Sequence, residues 1–250
     1  MNGKLQNRSA IVTGAGRGIG AAIAIAYAAA GANLTIASRT PPELDQVARQ
    51  CRDSGASCVP VVADVSSQND VQRLVNTALE RFGQIDILAN IAGVYGPIGP
   101  IEDVDLSSWK SALHINLLGT LYLCQAVLPS MRKQRYGRII AMSGGGATAP
   151  LPRFSAYAAS KAAVVRFVET LAEEVKDDGI TVNAIAPGAI DTSLQDAVLA
   201  AGEPGELRER TGRRHSIGGH LGLGDARHPL RQDGDAVYRA GDRAGGVGTD

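Results

Sequence analysis

Tyr157 and Lys161 close the five-residue stretch Tyr157-Ala158-Ala159-Ser160-Lys161. If that stretch is helical, the two side chains stand one turn apart on the same face. An ammonium beside a phenol favours the phenolate and lowers the tyrosine pKa from its ordinary value of about 10. That shift turns a poor acid/base at neutral pH into a usable one. Alone, a Tyr and a Lys at this spacing more often mean packing and a solvated charge, so the weight rests on what surrounds them. Asn116 is a polar residue amid Ile115, Leu117 and Leu118, and if buried it must find hydrogen-bond partners. Its neighbour His114 reads as structural.

The elements that must position these residues are legible in order. Ser9–Thr13 has the apolar, β-branched character of a buried strand and runs into Gly14-Ala15-Gly16-Arg17-Gly18-Ile19-Gly20, then into an alanine-rich helix from 21 to 30. A strand, a glycine turn and a helix form a phosphate-binding corner. The glycines let a pyrophosphate approach the backbone, and the helix N-terminus offers free N–H groups. A second strand, Leu34–Ser38, ends where NAD-binding folds usually carry an acid for the ribose hydroxyls. Here Ser38 is followed by Arg39, and a guanidinium suits a 2′-phosphate, with Arg17 as a second positive charge. NADP is therefore preferred, with NAD possible.

Further on, the pattern predicts a helix over 42–53, a strand over 58–62 closed by Asp64, a helix over 69–82 and a strand over 85–89. Asp64 either accepts from the adenine amino group or caps the next helix. Asn90-Ile91-Ala92-Gly93 is a small-residue turn at a strand C-terminus, the edge where ligands bind in parallel sheets. One long helix is predicted over 107–131, a strand over 138–142 leading into Ser143-Gly144-Gly145-Gly146, the Tyr157 helix to about 177, and a strand over 180–185 closed by Pro187-Gly188. Six strands alternating with helices argue for an α/β, doubly wound parallel sheet of the Rossmann type.

Bulk properties exclude several classes. The formal charge is zero, which gives no electrostatic case for nucleic acid or an anionic membrane. No uninterrupted apolar run reaches the ~20 residues of a membrane span, and the first eight residues lack a signal-peptide core. Cys51, Cys58 and Cys124 lack metal-ligand spacing and read as reduced thiols of a cytoplasmic protein. No metal site is expected; His215, His220 and His228 match no standard ligand pattern.

Taken together, Thr13-Gly-Ala-Gly-Arg-Gly-Ile-Gly20, Asp64, Asn90-Ile-Ala-Gly93, Asn116, Tyr157-x-x-x-Lys161 and Pro187-Gly188 followed by Thr192 resemble the short-chain dehydrogenase/reductase family over roughly residues 5–195. The resemblance implies strand order 3-2-1-4-5-6 and hydride transfer between a nicotinamide and a small-molecule carbonyl or alcohol. Tyr157 would exchange the proton and Lys161 would tune Tyr157 and hold the nicotinamide ribose. Asn116 would hold a relay water. Gly14, Gly18 and Gly20 would line the pyrophosphate and Thr192 the carboxamide. The implied cofactor contacts extend to Ile19, Ser38, Val65, Asn90, Ala92, Gly93, Pro187, Gly188 and Ile190. The helices at 107–131 and 157–177 resemble the family's dimer-forming pair, implying a homo-oligomer.

Three features depart from that pattern. The family's substrate-binding serine, thirteen residues before the tyrosine, falls on Gly144, leaving Ser143 as the catalytic candidate and Ser155 as a second. Ile91 stands where a second Asn is common. Beyond the oxidoreductase domain, 1–202, the tail from 203 to 250 turns rich in glycine and arginine and lacks lysine, as if divergent or read in another frame. It is expected to be irregular, with the family's seventh strand absent or aberrant. These departures leave a second reading open, a catalytically impaired cofactor-binding or interaction protein on the same fold.

Overall fold

Residues 3–187 and 236–239 are described by the computed structural model. Strand β1 (Ser9–Thr13) is buried on both faces and lies inside the sheet, flanked by β2 (Asn33–Ser38) and β4 (Ile87–Asn90). Outward from these lie β3 (Cys58–Val62) on one side, and β5 (Gly137–Met142) and β6 (Ile180–Ala186) on the other. The sheet order is β3-β2-β1-β4-β5-β6-β7, with β1 to β6 parallel. Pro60 fits only because β3 is the sheet edge, where a missing ladder donor costs little.

Alternating side chains separate two cores. On one face Ala10, Val12, Leu34 and Ile36 pack with α1 (Gly18–Ala29) and α2 (Pro41–Asp53). On the other, Ile11, Leu88, Ile139 and Val182 pack with α3 (Gln68–Phe82), α5 (Gly119–Gln134) and α6 (Ser155–Glu174). Burial on both faces is why these strands read as continuous apolar runs.

The chain leaves β1 toward β2 and β3, then returns to β4 and builds the other half. The crevice outside the C-terminal ends of β1 and β4 is thus the topological switch point, the ligand-binding position of this architecture. Thr13 and Asn90 sit opposite one another at that crevice.

Two expectations change in detail. The predicted single helix over 107–131 is a composite: α4 (Leu106–Leu113), one π-helical turn (His114–Leu118) and α5, which continues through Pro129. Over Leu106–Gln134 it is long and apolar enough to cross a membrane, with a mean hydropathy of 1.3 in its most apolar window. A search for unbroken apolar runs misses this because Ser, Thr, Lys and Gln interrupt it. Leu123, Cys124, Val127 and Met131 nevertheless sit in the core beside the sheet, as in a soluble α/β layer. The tail is the second case. The four residues Ala236–Arg239 form β7, paired antiparallel to β6 with Ala186 opposite Ala236 and Asn183 opposite Arg239. Of the two expected outcomes, absent or aberrant, the seventh strand takes the aberrant one: it is short, runs against the other six and covers the edge of β6. The three tail histidines lie outside the described residues.

Candidate active site

The glycine turn is built for close approach. Gly14 has φ +64°, the left-handed region, and a β-carbon there would fall 2.9 Å from the Ala92 backbone. A β-carbon on Gly20 would collide with the Gly14 carbonyl. Helix α1 opens at Gly18 with no acid in its first turn and no side-chain cap from Arg17, so its leading N–H groups face the crevice unneutralised. Such a turn has the shape and the free N–H groups to take a diphosphate, and Ile19 within it is half-buried. Gly20→Ala is expected to cost about 1–3 kcal/mol through this collision and to weaken dinucleotide binding at least tenfold. Urea unfolding and fluorescence titration would read the two effects.

At the adenosine end, Ser38 closes β2 with its hydroxyl 3.4 Å from the Thr40 carbonyl, and a β-carbon on Gly16 would lie 2.9 Å from Ser38 Oγ. Arg17 and Arg39 are well exposed. Arg17 lies 3.8 Å from Glu43 and Arg39 3.9 Å from Asp64, loose pairs that leave both guanidinia open to an anion. Glu43 escaped the sequence reading, although an acid in the first turn of α2 is its visible signal. Asp64 is not the cap of α3. Ser67 takes that role, accepting from the Asp70 N–H, while Asp64 Oδ1 accepts from the Ser66 N–H and hydroxyl and Oδ2 faces Arg39. Val65 is buried against Gly119, where a β-carbon would stand 3.0 Å from the Val65 side chain.

From the cradle a chain of buried hydrogen bonds runs across the sheet edge. Thr13 Oγ1 donates to Asn90 Oδ1 (2.9 Å) and accepts from the Ile91 and Ala92 N–H groups. Asn90 Nδ2 donates to Thr120 Oγ1 (2.7 Å), which donates to the Asn116 carbonyl (2.7 Å). Asn90 is thus occupied within the protein, and its side chain holds the turn that a cofactor would touch at Ala92 and Gly93. Asn116, on the π-helical turn, accepts from the Val94 N–H and donates to the Val94 carbonyl and to Ser160 Oγ, each at 2.9 Å. Both its amide hydrogens are therefore used in clamping the loop after β4 to α6. Thr120, Val94 and Ser160 were not singled out from sequence; Ser160 lies inside the Tyr-x-x-x-Lys stretch itself. His114 points outward, as expected of a structural neighbour.

Tyr157 and Lys161 stand on α6 as the spacing predicted, with Lys161 Nζ 5.6 Å from the centre of the Tyr157 ring. Lys161 is 3% exposed, and Nζ donates to the Met142 carbonyl at 2.7 Å, with no carboxylate paired to it among the described residues. Burial pulls its pKa down to about 8. The expected lowering of the Tyr157 pKa is reversed in this arrangement. Burial, and secondarily Tyr95, pushes the phenol up, because desolvation outweighs an ammonium that faces a carbonyl. Tyr157 is accordingly a protonated acid at neutral pH.

The serines divide. Ser143 is 1% exposed, and its hydroxyl has no hydrogen-bond partner. Ser155 accepts from Trp109 Nε1 at 3.1 Å. At Gly144 a β-carbon would collide with the Tyr157 hydroxyl. Pro187 follows β6 directly; Gly188, Ile190 and Thr192 lie outside the described residues. No group of three His, Cys, Asp or Glu that could hold a metal occurs among the described residues.

One contact sequence joins the two halves. Gly14 abuts Ala92, and a β-carbon on Gly93 would lie 3.0 Å from Asn116 Oδ1 and 3.3 Å from Lys161 Nζ. A diphosphate cradle at a switch point, continuous with a buried Tyr–Lys pair, defines a nicotinamide-dependent oxidoreductase of the doubly wound class. Comparison with known proteins agrees. A family model described as short chain dehydrogenase matches residues 8–202. A short chain dehydrogenase of Pseudocercospora fijiensis is 35% identical over 206 residues, 80% of this chain and 66% of that protein's length. The crystal structure of levodione reductase superposes with a TM-score of 0.81 at 30% identity, covering 86% of this chain and 87% of its own. That of NAD+-bound xylitol dehydrogenase gives 0.80 at 29%, covering 86% and 89%. The chain belongs to the short-chain dehydrogenase family.

Proposed function

We propose that this protein is an NADP-dependent reductase or dehydrogenase of small to medium carbonyl/alcohol substrates, with Tyr157 as general acid/base. The observation that carries the reading is the continuity from the glycine cradle through Ala92 and Gly93 to Lys161. The residues present fit the cofactor. The N-terminus of α1 would hold the diphosphate, Arg39 and Arg17 the 2′-phosphate, and Lys161 the nicotinamide ribose. Bound there, the nicotinamide supplies or accepts the hydride. Tyr157 gives its proton to the carbonyl oxygen, and Lys161, mostly charged at pH 7, holds the ribose hydroxyls and stabilises the phenolate left behind. Burial keeps the phenol protonated at neutral pH and makes it the weaker acid, so the charge on Lys161 is needed to stabilise the phenolate.

The preference for the 2′-phosphate rests on Arg39. Arg39→Ala should weaken NADPH binding by about 10–100-fold, the worth of one charge-assisted hydrogen bond, and leave NADH binding within about threefold. Parallel fluorescence titrations measure both; equal losses would remove the preference. Assembly through α4–α5 and α6 as a homodimer, and a cytoplasmic location for the three free buried thiols, belong to the same reading. Gly144 favours a second one, a cofactor-binding protein that lacks turnover because no serine stands at that position. It predicts NADPH binding with no substrate-dependent oxidation.

A further inference from the structure

We propose that the Tyr95 hydroxyl, and not Ser143, is the second hydrogen-bond donor to the substrate oxygen bound at Tyr157. This rests on the hydride-transfer reading above.

A carbonyl oxygen held at Tyr157 has two lone pairs. One takes the Tyr157 proton, and charge develops on the oxygen as hydride reaches the carbon. A second donor aimed at it from a dry site supports that charge. The serines of the β5 end cannot supply the donor in this arrangement. Ser143 continues β5 alongside β6, its N–H donating to the Ile185 carbonyl at 2.8 Å, and its hydroxyl is sealed at 1% exposure. At position 144 the space a side chain would take is filled by the Tyr157 hydroxyl itself. Ser155, the first residue of α6, accepts from Trp109 Nε1, which holds its oxygen toward α4.

Tyr95 brings a second phenol against Tyr157 from the neighbouring loop. It lies half-buried on the loop after β4, two residues beyond Gly93 and next to Val94, which Asn116 clamps on both its N–H and its carbonyl. The following residue, Gly96, has φ +73°, and a β-carbon there would stand 2.7 Å from Ala112 Cβ and 3.3 Å from Ala156 Cβ. The loop is thus pinned between α4 and α6. The Tyr95 ring sits edge-on to Tyr157 with centroids 4.8 Å apart, and edge-on to the fully buried Phe154 at 5.4 Å. Packing therefore holds the ring against the acid that it assists. Burial raises the Tyr95 pKa, so the phenol keeps its hydrogen over the working pH range and acts as a donor without itself titrating.

The test uses the full chain, NADPH and a panel of aliphatic ketones, cyclic diketones and aldehydes. Tyr95→Phe removes one oxygen and keeps the ring packing. It should lower kcat about 10²-fold, the loss typical of one donor to a developing oxyanion, with KM within threefold. Ser143→Ala should stay within threefold of wild type in both. An unchanged kcat in Tyr95→Phe, or a loss in Ser143→Ala equal to or larger than that in Tyr95→Phe, overturns the assignment. If the wild type binds NADPH yet reduces none of the panel, the hydride-transfer reading fails, and the assignment that rests on it falls with it.

Discussion

Tyr157→Phe is expected to lower carbonyl reduction by about 10²–10⁴-fold, the range for losing a positioned general acid, while NADPH affinity stays within about twofold. The separation follows from where the residue sits. The phosphate-binding cradle is made by Gly14, Gly18, Gly20 and the N-terminus of α1, none of which depends on the phenolic oxygen. The ring also packs edge-on to Tyr95, a contact that phenylalanine preserves. Steady-state kinetics with a fluorescence titration measures both quantities. If turnover survived, the proton would have to come from elsewhere. If cofactor affinity fell in step with turnover, Tyr157 would be holding the site together.

Lys161→Met should abolish most turnover and also change how stability depends on pH. The lysine is buried, and its pKa is depressed from 10.5 in the unfolded chain to about 8 in the folded one. Between about pH 8 and 10.5 the unfolded state therefore binds more protons, and wild-type stability from this residue rises with pH through that window. Below pH 8 both states are protonated, and confining the charge costs on the order of 3 kcal/mol. Methionine removes that cost and that slope. It also leaves the Met142 carbonyl without its donor, which offsets about 1–3 kcal/mol of the gain. Relative to wild type, the variant should be at its best below pH 8 and lose ground steadily up to about pH 10.5. Urea midpoints at pH 7, 9 and 10.5 would show it; a difference that does not vary with pH would mean that Lys161 is not depressed.

Why sequence alone goes so far here, and no further, is clear from particular residues. β1 and the glycine turn were readable because a doubly buried strand must be apolar and because Gly14 and Gly20 have no room for a β-carbon. The Tyr–Lys pair was readable because helical spacing is local. What could not be read depends on contacts distant in the chain. The partners of Asn116 are Val94 and Ser160, 22 and 44 residues away, and the acceptor reached by the Asn90 amide is Thr120. The direction of the Tyr157 shift was misjudged for the same reason. Spacing reports that Lys161 is near, whereas burial and the competing Met142 carbonyl decide which charge state wins. The π-helical turn at 114–118 leaves no trace in the apolar periodicity, yet it presents Asn116 to the site. β7 was masked by a composition too rich in glycine and arginine to show a strand pattern, and its four residues gain their form by pairing with β6.

The most direct test is a fluorescence titration of the purified full chain with NADPH and NADH in parallel, repeated on Gly20→Ala. Saturable binding, tighter for NADPH and weakened at least tenfold by the substitution, is the expected result. It would place the dinucleotide on the cradle at the ends of β1 and β4. Failure of a folded chain to bind either nucleotide would contradict the oxidoreductase function, whatever the Tyr157–Lys161 geometry.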